Sequence, residues 1–234
     1  MQEVKRLVGQ YAASYVEDGM VVGLGTGSTA YWFIEEVGRR FIAGELPNII
    51  TVSTSDRSSE QARSLGLPLR EIDDIDRIDL LVDGADETTR QFAGIKGGGG
   101  ALLHEKIIAE NADKIIWIMD ESKLVNQLGK FPLPVEVVRF GSWKLFDVFL
   151  NAGMKPSFRK VEDDSLFITD SGNYIIDLHL EEIPHPEVLA QQIKSMVGVV
   201  EHGLFLDYAD ILLVGQNDGK VVKIERSEGT FNNE

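Results

Sequence analysis

The sequence predicts an α/β protein, with a mostly parallel sheet flanked by helices and a smaller α+β domain of ferredoxin-like order. Three observations lead to this prediction. Apolar, β-branched segments alternate with segments of helical periodicity through the first 130 residues, which is typical of parallel strands joined by right-handed crossovers. The strands end in polar or glycine-rich loops. After residue 130 the pattern changes to helix, strand, hairpin and helix, which favours an antiparallel subdomain.

The first half of the chain supplies strands and helices in alternation. Apolar side chains at helical spacing predict a helix over residues 3–16 that ends at the Asp-Gly pair at 18 and 19. Strands are predicted at MVVGLG, NIITVSTSD, IDLLVDGADE and ADKIIWIMDESK, and helices at STAYWFIEEVGRRF and SSEQARSL. All four strands should end at the same carboxyl edge, where open α/β sheets bind ligands.

The second half begins with the strand FPLPVEVV at 131–138. A helix, turn and strand are predicted in KLFDVFLNAGMKPSFRKV, a hairpin around DSGN in LFITDSGNYIIDLHL, and a helix in HPEVLAQQIKSMVG. Strands in VVEHGLFLDYADILLVGQNDGKVVKIE should rejoin the first domain. The expected division is therefore a first domain of residues 1–130 plus 205–234 and an α+β domain of residues 131–204. The final SEGTFNNE has little to bury and is expected to be disordered.

The composition narrows the class of function. A length of 234 residues suits one large domain, or one domain with a smaller one. The net charge of −15 argues against sequence-independent binding to nucleic acid or anionic lipid, but an anionic small molecule needs only a local positive site. The chain has no cysteine, no apolar run near the roughly 20 residues of a membrane span, and no signal-peptide core at its start. We therefore expect a cytoplasmic protein with no nucleic-acid or membrane partner.

The first motif, GLGTGST, lies where a strand turns into a helix. Glycine lets the backbone approach a ligand closely, and free N–H groups at a helix start favour an anion. It is not a P-loop, since no G-K-[ST] follows, and it lacks the third glycine of the dinucleotide fingerprint. A phosphate or sugar-phosphate cradle and a simple tight turn both remain open.

The second motif, DGADE, places Asp83, Asp86 and Glu87 at the end of a buried strand. Carboxylates this close should repel one another, and partial burial should raise the pKa of at least one of them. Hydrogen bonding to sugar hydroxyls with proton transfer, a divalent metal site with oxygen ligands, and a helix N-cap are three alternatives.

The third motif is KGGGGALLHEKII at 96–108. Four consecutive glycines carry a large entropy cost on folding, so they favour a loop wrapped around a ligand, with Lys96 before it and a helix from about Ala101 after it. Glu105 in that helix is a candidate general base, against the alternative of an ordinary surface acid. We interpret His104 as an exposed helix residue rather than a catalytic one.

Other candidates are fewer. Lys123 in DESK follows another strand and is either a phosphate-binding cation or a solvated loop lysine. No His-x-x-x-His type of pair predicts a zinc site, and the serines have no nucleophile-elbow context.

In order and spacing, GLGTGSTA, TSD, VDGADE, IKGGGGAL-x-x-EKI, DESK, GKFPLPVEV and GVVEHGLF resemble the ribose-5-phosphate isomerase A family over about residues 3–224. The resemblance implies a Rossmann-like α/β domain with a smaller α+β domain, assembled as homodimers or homotetramers. It also implies interconversion of D-ribose 5-phosphate and D-ribulose 5-phosphate in the non-oxidative pentose phosphate pathway, without a metal or other cofactor.

The resemblance further implies roles for individual residues. Glu105 is the proton-transferring base. We further expect Lys96 to stabilise the negative charge on the former carbonyl oxygen, and Asp83 or Asp86 to assist ring opening. The substrate-binding residues are Thr26, Gly27, Ser28, Thr29, Asp83, Gly84, Ala85, Asp86, Lys96, Gly97, Gly98, Gly99 and Lys123. Three alternatives remain open, namely a sugar-phosphate-sensing domain without turnover, an acyl-CoA transferase of similar fold, and an isomerase of another phosphosugar.

Overall fold

A computed structural model describes residues 1–226 of the chain. The helices are α1 (Gln2–Ala13), α2 (Ala30–Ile42), α3 (Asp56–Ser64), α4 (Leu102–Glu110), α5 (Ser142–Asn151) and α6 (Pro186–Lys194). The strands are β1 (Val21–Leu24), β2 (Ile50–Ser53), β3 (Leu80–Gly84), β4 (Glu87–Thr88), β5 (Ala93–Ile95), β6 (Ile115–Asp120), β7 (Leu133–Val137), β8 (Pro156–Phe158), β9 (Tyr174–Leu178), β10 (Val199–His202), β11 (Leu204–Leu206), β12 (Ile211–Gly215) and β13 (Val221–Glu225). The predicted disordered end, residues 227–234, lies outside the described residues.

The main sheet has six strands in the order β13-β12-β6-β3-β1-β2. All neighbours pair in parallel except β12 and β13, which are antiparallel. The predicted mostly parallel sheet is therefore confirmed, and β12 and β13 are the carboxyl-terminal strands that were expected to rejoin it.

Both faces of the main sheet are covered, as β6 illustrates. Every residue of β6 is buried, and successive side chains of a strand point to opposite faces. Ile116 and Ile118 join the core under α1 and α2, whereas Trp117 joins a second core with Ile108 of α4 and Phe205 of β11. Burial on both sides explains why this segment is a continuous apolar run in the sequence.

The second region follows the order β7-α5-β8-β9-α6-β10, and its four strands form an antiparallel sheet in the order β10-β7-β9-β8. This strand and helix order is that of the predicted ferredoxin-like subdomain. A third, short sheet has the order β11-β5-β4, and its side chains pack into the cores of both other regions. The division of the chain at residues 131 and 204 stays a prediction.

The segment around DSGN differs from the predicted hairpin. Its second arm is β9, but its first arm is not a strand of the sheet. That arm makes an isolated bridge from Leu166 to Lys160, and the N–H of Thr169 donates to the carbonyl of Asn173 across the turn. The reason is that β9 already pairs with β7 and β8 on its two edges. Within residues 1–226, no helix has both the length and the apolar character needed to cross a membrane.

Candidate active site

A cavity of about 140 Å³ lies at the carboxyl ends of β1, β3 and β6. This volume is below the roughly 300–1,000 Å³ of pockets for drug-sized ligands, and it suits a small polar molecule better than a dinucleotide. The cavity is lined by Lys5, Thr26, Gly27, Ser28, Thr29, Gly84, Ala85, Asp86, Lys96, Gly97, Gly98, Gly99, Glu105, Ile118, Met119, Asp120 and Lys123. Every residue predicted for the site therefore lines the cavity, except Asp83, which lies directly behind it.

The GLGTGST loop connects β1 to α2 and is fixed from beneath. The backbone N–H of Thr26 donates to Oδ1 of Asp83 at 2.8 Å. Its hydroxyl lies 2.7 Å from Oγ1 of Thr54 and 2.7 Å from Oγ of Ser55, both in the loop after β2. The TSD motif therefore supports this loop, and the loop faces the cavity instead of being only a turn.

The N-terminus of α2 opens toward the same cavity. Thr29 is its N-cap residue, and among residues 1–226 its side chain finds no capping partner. The first-turn N–H groups of an α-helix have no acceptor within the helix, so this end favours an anion. The Nζ atom of Lys5 donates to Oγ of Ser28 at 2.8 Å, which adds a positive charge beside it.

The carboxylates of DGADE separate instead of forming one cluster. Oδ1 of Asp83 accepts hydrogen bonds from the N–H groups of Thr26 and Gly84, at 2.8 and 2.7 Å. Glu87 points away from the cavity and accepts from the N–H groups of Gly129 and Phe131, each at 2.8 Å. The mutual repulsion expected among the three is relieved by this divergence. Because the motif continues into β4 rather than a helix, the N-cap alternative is wrong.

A buried charge cluster forms the floor of the cavity. Lys96, Asp83 and Glu105 are 2%, 0% and 4% exposed. The Nζ atom of Lys96 lies 3.0 Å from Oδ2 of Asp83 and 3.0 Å from Oε1 of Glu105, and it also donates to the carbonyl of Gly84. One buried lysine thus lies between two buried carboxylates.

One oxygen atom of this cluster has no polar partner among the described residues. It is the buried Oε2 of Glu105, whereas Oδ2 of Asp83 is ion-paired with Lys96. Buried polar atoms are nearly always hydrogen-bonded, and exceptions are found at catalytic sites. Glu105 itself lines the cavity, so a bound molecule can meet its free oxygen.

The cluster shifts the pKa of its members. Burial raises the pKa of Glu105 above its usual range to about 8, and the negative charges of Asp83 and Asp86 add to this while Lys96 opposes it. Burial by itself lowers the pKa of Lys96, but its attraction to Asp83 and Glu105 outweighs burial and raises that pKa above the ordinary value. A carboxyl whose pKa lies near neutrality is suited to general acid–base catalysis.

The glycine run connects Lys96 to α4 in a conformation that other residues resist. Gly97 has φ of +100°, in the left-handed region that favours glycine. The N–H of Gly98 donates to Oδ2 of Asp86 at 2.7 Å, and a Cβ on Gly98 would lie 2.6 Å from that carboxylate. The run is therefore needed for close approach of the loop to DGADE.

The structure also adds lining residues that the sequence analysis missed, namely Lys5, Ile118, Met119 and Asp120. Lys5 is on α1, where its only sequence signal is a cation in an otherwise amphipathic helix. Lys123 reaches the cavity from the turn after β6, as predicted. His104 does not line the cavity, and its Nε2 lies 2.9 Å from Oγ of Ser171.

Comparison with known proteins gives one consistent result. The family model described as ribose 5-phosphate isomerase A (phosphoriboisomerase A) matches residues 50–219. The protein named ribose-5-phosphate isomerase A of Streptococcus thermophilus is 54% identical over 226 residues, which cover 96% of this chain and 100% of the relative.

Solved structures agree with the sequence matches. A ribose 5-phosphate isomerase from Plasmodium falciparum superposes with a TM-score of 0.93 at 34% identity, covering 97% of this chain and 100% of the other. A D-ribose-5-phosphate isomerase in complex with phospho-erythronic acid superposes with a TM-score of 0.92 at 39% identity, covering 96% and 98%.

Proposed function

The chain belongs to the ribose-5-phosphate isomerase A family, and we propose that it interconverts D-ribose 5-phosphate and D-ribulose 5-phosphate with Glu105 moving the proton. This is an aldose–ketose isomerisation of the non-oxidative pentose phosphate pathway. The observation that carries the residue assignments is the buried cluster in which Lys96 lies 3.0 Å from both Asp83 and Glu105.

Ring opening comes first, because the aldose is mostly a closed furanose. It requires removal of the proton from the C1 hydroxyl and delivery of a proton to the ring oxygen. Of the two candidates, Asp83 and Asp86, we assign this step to Asp86, which lines the cavity. Asp83 is fully buried and acts through Lys96, whose Nζ lies 3.0 Å from its Oδ2.

Proton transfer between carbons follows. Oε2 of Glu105 takes the proton from C2 of the open-chain aldose, and the electrons of the C–H bond form the C1–C2 double bond of a cis-enediolate. The carbonyl oxygen at C1 becomes negatively charged. The proton of the C2 hydroxyl then passes to the C1 oxygen. Glu105 returns the carbon-bound proton to C1 as the C2 oxygen becomes a carbonyl, and this gives the ketose. One carboxylate serves both carbons if both lie on the same side of it.

Charge stabilisation is the role of Lys96 and of the glycine run. The Lys96 ammonium is buried, and an electrostatic interaction in a site with little water is stronger than in bulk. N–H groups of the glycine run add dipoles that need no reorganisation during the reaction.

Phosphate binding is assigned to residues 26–29, the N-terminus of α2, and the two lysines Lys5 and Lys123, which line the same cavity. Lys5 contacts Ser28, and Lys123 lines the cavity from the turn after β6. This places positive charge around a dianion although the protein as a whole carries −15.

The alternatives from the sequence are not favoured, because relatives of the same family match nearly the whole chain. The discriminating experiment follows conversion of ribose 5-phosphate to ribulose 5-phosphate, with and without a chelator. Turnover that is indifferent to chelator supports the proposal. Binding without turnover would indicate a sensing domain, and turnover only with an amino-sugar phosphate would indicate another isomerase.

We also propose a cytoplasmic homodimer or homotetramer. The family resemblance supports this assembly, and so do apolar side chains exposed near α5 and α6, of which Phe140, Trp143 and Val197 are 95%, 62% and 98% exposed. The cytoplasmic location is supported by the metabolic role of the relatives. Light scattering of the purified chain measures the assembly, and a single monomeric mass would reject it.

A further inference from the structure

Arg159 contacts the carbonyl oxygens of the glycine run without lining the cavity. It follows β8 in the small antiparallel region, and its Nη1 donates to the carbonyl oxygens of Gly97 at 2.7 Å and Gly98 at 3.1 Å. The side chain is 15% exposed. No motif in the sequence marks this residue.

The guanidinium is held by a second contact. Its Nε donates to Oδ2 of Asp177 at 3.0 Å, and Nη2 donates to Oδ1 of the same carboxylate. Asp177 is on β9, whose pairing with β8 places it opposite Ser157. A bidentate arginine–carboxylate pair fixes the plane of the guanidinium. It also balances the charge, so the effect of Arg159 on the loop is mainly one of orientation.

Because each peptide group is planar, the contact of Arg159 with two carbonyl oxygens also sets the direction of the N–H groups in the same peptides. The C=O and N–H of a trans peptide point in opposite directions, and residues 1–226 contain no cis peptide. Holding the carbonyls of Gly97 and Gly98 outward therefore turns the next two N–H groups, those of Gly98 and Gly99, inward. The N–H of Gly98 meets Asp86, and both glycines line the cavity.

We propose that Arg159 is a positioning residue, which acts through the glycine run by keeping the N–H of Gly98 on Asp86 and the N–H of Gly99 aimed at the oxygen that becomes negative in the enediolate. This inference rests on the proposed function. It assigns part of the charge stabilisation to the ferredoxin-like region, because without Arg159 the four-glycine segment has enough freedom to turn its carbonyls inward.

The test measures binding of two ligands of equal length by calorimetry, using the full chain. 4-Phospho-D-erythronate has a planar carboxylate that carries the charge of the enediolate, and D-erythritol 4-phosphate has a neutral hydroxymethyl group instead. Arg159→Met should weaken the first ligand about tenfold, below the roughly 10²–10³-fold loss seen when an oxyanion donor is removed outright. The second ligand should weaken by less than about twofold, and kcat for ribose 5-phosphate should fall about tenfold with little change in KM.

Lys155→Met is the matched control, since it removes a cation of the same region whose ion pair with Glu181 is exposed. It should leave both affinities and kcat unchanged. If Arg159→Met does not fold, Arg159→Lys carries the test, because lysine keeps the charge but lacks the fork that holds Asp177 and both carbonyls. Its expected loss is selective for the carboxylate ligand and about threefold.

An equal loss of affinity for both ligands, or no loss for either, overturns the proposal. A general disturbance of the site would weaken binding of the carboxylate ligand and the neutral ligand alike. Failure of the proposed function gives a different result. In that case the unmodified protein fails to convert ribose 5-phosphate. The affinities of the two ligands can still be measured, because calorimetric binding does not require turnover.

Discussion

Glu105 shows how one side chain acquires its chemistry from its surroundings. It lies in α4 next to Lys106, and the two charged side chains point in different directions. Glu105 faces the cavity with a free Oε2, whereas Lys106 faces away and donates to Glu201 at 2.9 Å. In the sequence, Glu105 is a candidate base because it lies about one turn into the helix that follows the glycine run. Its raised pKa depends on burial beside Asp83 and Asp86.

Replacing Glu105 by Gln removes the base and keeps the shape of the side chain. Loss of one proton-transfer group typically lowers the rate by about 10²–10⁴-fold. We expect kcat to fall by this factor, while calorimetry shows ribose 5-phosphate binding within about threefold of the unmodified protein. A kcat near normal would reject Glu105 as the base.

The pH dependence of the reaction follows from the same residue. A base acts only when deprotonated, and the pKa of Glu105 is raised to about 8. kcat/KM should therefore rise with pH up to about 8, and should fall about tenfold for each unit below it.

Asp83→Asn tests the origin of this shift, since the charge of Asp83 is one cause that raises the pKa of Glu105. The acid limb of the profile should move to lower pH. The measurement uses D-ribulose 5-phosphate, whose phosphorylated C5 hydroxyl prevents furanose formation, so ring opening does not enter. Asp147→Asn, at an exposed position of α5, is the control. An acid limb at the same pH in the Asp83 variant would contradict this account.

At the scale of elements, the site combines the starts of helices with the ends of strands. The N-terminus of α2 faces the cavity beside Lys5 of α1, and Lys123 lies in the turn after β6. These three elements are adjacent because α1 and α2 pack on the same face of the main sheet and contribute to the same core. The sequence predicted each element, but not that α1 delivers a lysine to the loop.

Lys5→Ala and Lys123→Ala test this arrangement of elements. Each removes one charge near the phosphate but nothing that acts on the carbons, so KM should rise about tenfold in each and kcat should change little. Lys144→Ala, at an exposed position of α5, should have no effect. An unchanged KM in either site variant would reject that lysine as a phosphate ligand.

At the scale of the whole molecule, α4 is tied to β10, the last strand of the ferredoxin-like region, and to β11, which follows it. The Nζ atom of Lys106 donates to Glu201 Oε1 and to the carbonyls of His202 and Leu204, at 2.9, 2.7 and 2.9 Å. The N–H of Leu204 donates to Nδ1 of His202 at 3.2 Å, which requires a neutral imidazole. Burial, and then the charge of Lys106, lowers the pKa of His202 to about 4.

The stability of the fold should therefore decrease on mild acidification. With a pKa of 6.5 in the unfolded chain and about 4 in the folded one, the unfolded state binds the proton more readily between these values. The contribution of His202 is fully present above pH 6.5 and is lost as the pH falls toward 4. The loss is on the order of 3 kcal/mol.

His202→Asn should flatten this part of the stability curve, because the Asn side-chain oxygen accepts from Leu204 and does not titrate in this range. Urea unfolding between pH 7 and 4.5 measures the free energy of unfolding. His179→Asn, at an exposed position, should keep the slope of the unmodified protein. Equal slopes in all three proteins would show that His202 is not responsible.

The sequence by itself determined the fold class and most of the cavity lining. Both depend on local patterns, namely strand–helix alternation and polar motifs at strand ends, and the carboxyl ends of parallel strands meet at one edge whatever the details of packing. The predicted hairpin around DSGN was wrong because it depended on tertiary contacts. Both edges of β9 are already paired with β7 and β8, and a local pattern cannot show this.

Only the tertiary structure decided which side chains meet. It turned Glu87 away from the cavity, brought Lys5 to the loop, placed Lys96 between two carboxylates, and set Arg159 against the glycine run. Arg159 and Gly97 are 62 residues apart, and no local pattern records such a contact. The pKa values follow the same logic, because burial and the distance between charges exist only after the chain has packed.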